Sequence, residues 1–260
     1  MKDKDFQSIV KVMLNKVPEI TLFFWVIKIL CTTVGETGAD FLDTKLNLGL
    51  DGVTLIIGTM LVVTLIFQFK TKKYVPGIYW LAVVLISIVG TLITDNLTDK
   101  LGIPLMITTI IFTISLSIVF AVWYKKEKTL SIHTIITTRR ESFYWLAILF
   151  TFALGTAAGD LLAEKINLGY LLSAIIFGVL IASVAISHFV FKVNAILAFW
   201  IAYILTRPLG ASIGDYLSQD LDNGGLGLGT VITSMIFLAT ILATVIYLTV
   251  TKKDVIRNQT

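Results

Sequence analysis

Eight blocks of apolar residues alternate along this chain with short polar segments. They run roughly over residues 19–39, 47–69, 77–95, 102–124, 142–161, 168–191, 194–214 and 226–250. An α-helix rises about 1.5 Å per residue, so about 20 apolar residues cross a hydrocarbon core about 30 Å thick. Each block therefore predicts one membrane-spanning helix. Composition agrees, because 56% of the 260 residues are hydrophobic and only 15% are charged. A soluble domain of this size lacks the interior volume to bury so much apolar surface. Gly, Ser and Thr recur inside the blocks, where helices in lipid need small residues for close contact. The expected fold is all-α and polytopic, with eight transmembrane helices.

The blocks repeat in pairs. Trp25, Trp80, Trp145 and Trp200 are each followed ten residues later by a glycine, namely Gly35, Gly90, Gly155 and Gly210. Fifteen residues after each tryptophan stands an aspartate: Asp40, Asp95, Asp160 and Asp215. The residue just before each aspartate is small: Ala39, Thr94, Gly159 and Gly214. Odd-numbered blocks carry this unit and even-numbered blocks follow it, so the chain reads as four repeats, each a two-helix hairpin, that all enter the membrane in the same direction. Repeats one and three also share the tails Lys45-Leu-Asn-Leu-Gly49 and Lys165-Ile-Asn-Leu-Gly169.

Charge placement orients the array. Of the 21 Lys and Arg residues, 16 fall in one set of loops: the N-terminus, Lys70 to Lys73, Lys125 to Arg140, Lys192, and Lys252 to Arg257. The alternate set holds only Lys45, Lys100 and Lys165, together with ten Asp and Glu residues. The positive-inside rule then predicts both termini in the cytoplasm, with the aspartate-bearing loops outside. The net charge of +4 reflects this topology rather than nucleic-acid binding. The division is into a polar segment 1–18, a first half 19–124, a basic loop 125–141, a second half 142–250 and a tail 251–260. Within the first segment Phe6, Ile9, Val10, Met13 and Leu14 have the spacing of an amphipathic helix lying on the bilayer.

Fifteen helical residues rise about 22 Å, so tryptophan and aspartate sit at opposite edges of the membrane. The tryptophans are expected to be interfacial anchors. The pairs Gly35/Ala39, Gly90/Thr94, Gly155/Gly159 and Gly210/Gly214 form small-xxx-small stripes, which predict that the odd helices meet near their aspartate ends. Four carboxylates gathered there repel one another unless a cation joins them, and hard cations such as Mg²⁺, Mn²⁺ and Ca²⁺ favour oxygen ligands. Asp40, Asp95, Asp160 and Asp215 are thus candidate metal or cation ligands, with Glu36 beside them. The competing reading makes the aspartates N-caps of short surface helices, Asp40 with Asp43 and Asp160 with Glu164.

Two more charges fall inside spans. Lys28 is expected to snorkel to the inner surface. Arg207 stands seven residues after Trp200, where the other repeats have Thr32, Ser87 and Phe152, and it needs an acidic partner such as Glu36 or an aspartate. The pair is either a static packing contact or a charge that changes partner with substrate. Pro208 follows in the same span. Only two histidines and one cysteine are present, so no zinc or haem site and no cofactor are predicted, and no nucleophile–base pair suggests an enzyme.

The four Trp–Gly–small–Asp units resemble a family of bacterial integral membrane proteins built from four tandem two-helix repeats, catalogued as uncharacterised membrane-anchored proteins. The resemblance covers about Pro18 to Lys252 and implies an eight-span inner-membrane protein without an assigned reaction. The pairs Gly159-Asp160 and Gly214-Asp215 are also similar in chemistry to the Gly-Asp elements of metal-cation exporters. Two functional expectations follow. One is a transporter or permease for a small cation, a divalent metal or a proton-coupled ion, with the lipid bilayer as its other partner. The alternative is a membrane scaffold or sensor whose aspartates are helix caps.

Overall fold

The computed structural model describes residues 15–42 and 49–255. Over them the chain folds into eight long helices: α1 (Leu22–Asp40), α2 (Gly49–Lys70), α3 (Pro76–Asp95), α4 (Leu105–Glu127), α5 (Thr138–Asp160), α6 (Tyr170–Phe189), α7 (Ala195–Ser218) and α8 (Gly229–Thr251). All eight are long and apolar enough to cross a membrane, and no strand occurs among the described residues. The protein is therefore a multi-pass helical membrane protein. The expected amphipathic segment up to Leu14, Asp43, and the tail residues Lys45 to Leu48 lie outside the described residues.

The helices sort into two layers. In the apolar 18-residue stretch of each odd helix 61% to 78% of residues are buried inside the protein, against 11% to 28% in each even helix. The odd helices close a ring in which α1 packs on α3, α3 on α5, α5 on α7, and α7 back on α1. The even helices stand outside it and show apolar side chains such as Leu55, Phe67, Ile110, Val179 and Met235 outward, as lipid contact requires.

The repeated glycine explains how the ring closes. A side-chain carbon on Gly35 would collide with Ser87, one on Gly90 with Phe152, one on Gly155 with Arg207, and one on Gly210 with Thr32. Every contact joins position ten of one repeat to position seven of the next, counting from the tryptophan. The register also shows that all four odd helices run in the same direction, as expected. Near the other end the rings of Phe24 and Trp80 (5.8 Å), Tyr79 and Trp145 (5.5 Å), Tyr144 and Trp200 (6.3 Å) and Phe24 and Phe199 (6.0 Å) repeat the same neighbour order.

Two expectations are corrected. The repeats are not self-packed hairpins: α2 lies on α3, α4 on α5, α6 on α7, and α8 on α1. Each even helix thus covers mainly the odd helix of the following repeat, and α8 completes the circle. The Glu19 N–H donates to the Asp254 carbonyl at 3.0 Å, tying the segments before α1 and after α8 together. Nor are the tryptophans simple interfacial anchors. Trp80, Trp145 and Trp200 are buried, because the residue before each tryptophan is also aromatic and the eight rings pack into one plug. Trp25 is half-buried.

Candidate functional site

The odd helices carry a row of residues at four-residue spacing, and each step forms a layer across the ring. Starting one residue before the tryptophan, the first layer is Phe24, Tyr79, Tyr144 and Phe199. The next is Lys28, Val83, Ile148 and Tyr203; then come Thr32, Ser87, Phe152 and Arg207. Above them lie Glu36, Thr91, Thr156 and Ala211, and all sixteen of these residues are buried. The aspartates form the fifth layer. Asp99, Glu164 and Gln219 stand one helical turn beyond three of them.

The last two layers open into a cavity of about 550 Å³. Glu36, Asp40, Asp95, Asp160 and Asp215 all line it, together with Asp99, Glu164, Lys165 and Gln219. The predicted convergence of four aspartates and Glu36 at one end of the ring is thus present. Within the group, one carboxylate oxygen from each of Glu36, Asp160 and Asp215 lies within 4.8 Å of the other two. Asp40 and Asp95 share the cavity but stand outside that tight cluster.

The caps expected by the competing reading are not formed at three of the four positions. Asp215 lies inside α7, which continues to Ser218. Asp95 and Asp160 have helical backbone angles and make no capping hydrogen bond. The chain instead runs on through π-helical turns at Asn96–Lys100 and Leu161–Lys165, and Phe41 and Leu42 after Asp40 share that geometry. Such turns are rare and recur at functional sites. Here they carry Asp99 and Glu164 to the cavity wall.

Arg207 closes the floor. Its guanidinium is fully buried and donates to Glu36 Oε2 at 2.8 Å, to the Thr32 carbonyl at 3.1 Å, to Thr156 Oγ1 at 2.7 Å and to Thr91 Oγ1. The partners come from α1, α3 and α5, so one side chain of α7 ties the whole ring. Gly155 makes room for it, since Arg207 Cβ and Cγ occupy the space where a side chain would grow. Pro208 Cδ packs against the same glycine and Pro208 Cβ faces Gly159, within an unbroken α7.

Lys28 does not snorkel. It is 1% exposed, and its ammonium lies 3.9 Å from the ring centre of Tyr203 and 4.7 Å from that of Phe152. No hydrogen-bond acceptor reaches it. Rings attract cations, which explains the placement without satisfying its donors.

The tryptophan end is shut. Lys16 donates to Glu141 Oε2 at 2.6 Å and to the Phe69 carbonyl at 3.0 Å, and Gln68 Nε2 donates to Glu141 Oε1 at 3.0 Å. The Tyr79 and Tyr144 hydroxyls share a hydrogen bond of 2.5 Å. Trp200 Nε1 donates to the Leu130 carbonyl at 2.9 Å, and Trp80 Nε1 to the Tyr74 hydroxyl at 3.1 Å. Tyr74 in turn donates to Asp254 Oδ2 at 2.6 Å; burial pushes its phenol well above the ordinary range, and the Asp254 carboxylate adds to the effect.

Sequence reasoning placed the aspartates, Glu36 and Arg207 together but missed Lys28, the cavity-lining role of Asp99 and Glu164, and the aromatic plug. The signal lay in the four-residue spacing, since Asp99 and Glu164 are one turn beyond Asp95 and Asp160. Four copies of one repeat family, described as a Repeat of Unknown Function (DUF347), match residues 23–74, 78–129, 143–194 and 198–254. No curated protein and no solved structure matches the chain.

Proposed function

We propose, for a chain that belongs to the DUF347 repeat family and takes no assigned reaction from it, a membrane carrier for a small cation. The observation that supports this most is the convergence of Asp40, Asp95, Asp160, Asp215 and Glu36 on one water-accessible cavity at one end of the ring. Carboxylates brought together at the edge of a membrane core are costly, and a cation offsets their mutual repulsion. The acidic surroundings also raise the local concentration of cations. Loop charges favour an inner-membrane protein with both termini cytoplasmic, so the cavity faces outward. A C-terminal reporter active only in the cytoplasm tests that orientation.

The sealed tryptophan end supports a carrier in one of two alternating states, in which transport opens the Lys16–Glu141 side as the carboxylate side closes. The same seal is what a non-transporting scaffold has, so flux is the deciding measurement. Purified protein in liposomes is loaded with monovalent or divalent cations, and flux is followed for wild type and for the Asp→Asn variant at each of the four positions. Loss of flux in the variants, with folding retained, is the expected result. Absence of cation flux with wild type removes the carrier reading, and four variants that transport like an active wild type remove the carboxylate site.

A further inference from the structure

Resting on that reading, the geometry points to a single divalent-cation site formed by Glu36, Asp160 and Asp215, with Arg207 as its built-in counter-charge. Three carboxylates offer oxygens within 4.8 Å of one another. Divalent cations hold oxygens at about 2.0–2.6 Å, so ligands on opposite sides of one ion stand about 4–5 Å apart. The cluster is therefore already at single-ion spacing, on three different helices of the ring.

Acidic residues at a membrane edge do not by themselves make a site, and Asp215 supplies the independent sign. It is only 8% exposed, it borders the cavity, and among the described residues no hydrogen-bond donor serves its carboxylate. A buried carboxylate without a donor is expensive, unless a cation takes the place of the donor. Glu36 is arranged in a complementary way. Both of its hydrogen bonds, from Arg207 and from Thr91, fall on Oε2. The other oxygen is left to the cavity that Glu36 lines.

Charge decides the valence. Ionised around a bound ion, the three clustered carboxylates facing one guanidinium leave two negative charges, the complement of one divalent cation. Arg207 is pinned by four acceptors, so its guanidinium stays beside the cluster as the counter-charge. A monovalent ion leaves the pocket negative. Asp40 and Asp95 then serve the cavity around the ion rather than its first contacts, along with Asp99 and Glu164.

The test is titration of the purified full-length protein in detergent with Mn²⁺, following the free-ion paramagnetic resonance signal. One Mn²⁺ per chain is expected, undiminished by a hundredfold excess of Na⁺ or K⁺. Asp160→Asn and Asp215→Asn are each expected to weaken it by at least about tenfold, since even outer-shell partners of a metal are worth about 10–100-fold. Asp222→Asn, an exposed acid away from the cavity, leaves binding unchanged. Thermal melts confirm that each variant is folded. No saturable Mn²⁺ binding by wild type, or equal weakening by Asp222→Asn and Asp215→Asn, overturns the site. Aspartate-dependent flux of Na⁺ or K⁺ without Mn²⁺ binding also overturns it while leaving the carrier intact. Stoichiometric Mn²⁺ binding lost in Asp215→Asn upholds the site even if liposomes show no flux, which removes only the carrier.

Discussion

Arg207 on α7 and Glu36 on α1 form a buried ion pair of 2.8 Å across 171 positions of sequence, directly beneath the carboxylate cavity. The arginine side chain is fully buried and the glutamate 9% exposed, so water screens the pair little. Removing one member of such a pair strands the other, at about 3–5 kcal/mol. Glu36→Gln is expected to lower stability by an amount in that range. Combining it with Arg207→Met recovers most of the loss. Thermal or chemical unfolding in detergent for the two singles and the double variant measures the coupling.

The glycines divide into two classes. Gly90→Ala brings the new carbon within 2.6 Å of Phe152 Cβ and 3.1 Å of the Ala153 nitrogen, so α3 and α5 must separate. Overpacking of this kind costs about 1–3 kcal/mol. Gly159→Ala meets nothing closer than Pro208 Cβ at 3.5 Å, an ordinary contact. It is expected to be neutral, and paired unfolding curves for the two variants decide the matter.

Lys28 is held in place without hydrogen bonds. Its four-carbon stem and ammonium are 1% exposed and rest on Tyr203 and Phe152. Burying a donor without a partner costs about 1–3 kcal/mol, judged from mutational data. Lys28→Met keeps the shape and drops the charge, so it is expected to raise the melting temperature. A fall in melting temperature shows instead that the cation–ring contacts dominate.

The closed end hangs on Glu141. This carboxylate is 1% exposed at the side chain and accepts from both Lys16 and Gln68. Glu141→Gln removes the negative charge that Lys16 faces and weakens the latch. Cys31, the chain's single and fully buried cysteine, reports on it. Wild type is expected to react slowly with a thiol reagent in the native state, and Glu141→Gln severalfold faster. Equal labelling rates show that the latch does not control opening.

At the cavity, Asp95→Asn and Asp215→Asn are predicted to differ. Both remove negative charge from the same space, but only Asp215 belongs to the tight cluster with Glu36 and Asp160. Cation affinity is therefore expected to fall several times further for Asp215→Asn. Titrations at matched ionic strength compare them, because screening alters distant charges more than near ones.

Period and composition by themselves determined eight membrane-length helices, four repeats, and the distance of each aspartate from its tryptophan along the helix. Each of these is a property of spacing along one helix, and helix geometry fixes it locally: the fifteen residues from Trp25 to Asp40 rise about 22 Å wherever the chain is helical between them. Which helices touch is not local. Sequence placed α2 with α1 as its hairpin partner, but packing assigns α2 to α3, because the glycine faces bring the odd helices together and leave the even ones outside. The same cyclic packing carries Trp80, Trp145 and Trp200 inward, where adjacent aromatic residues hold them, and it buries Lys28 out of reach of water. It also selects Glu36, Asp160 and Asp215 from five similar carboxylates, since only distances between different helices distinguish them.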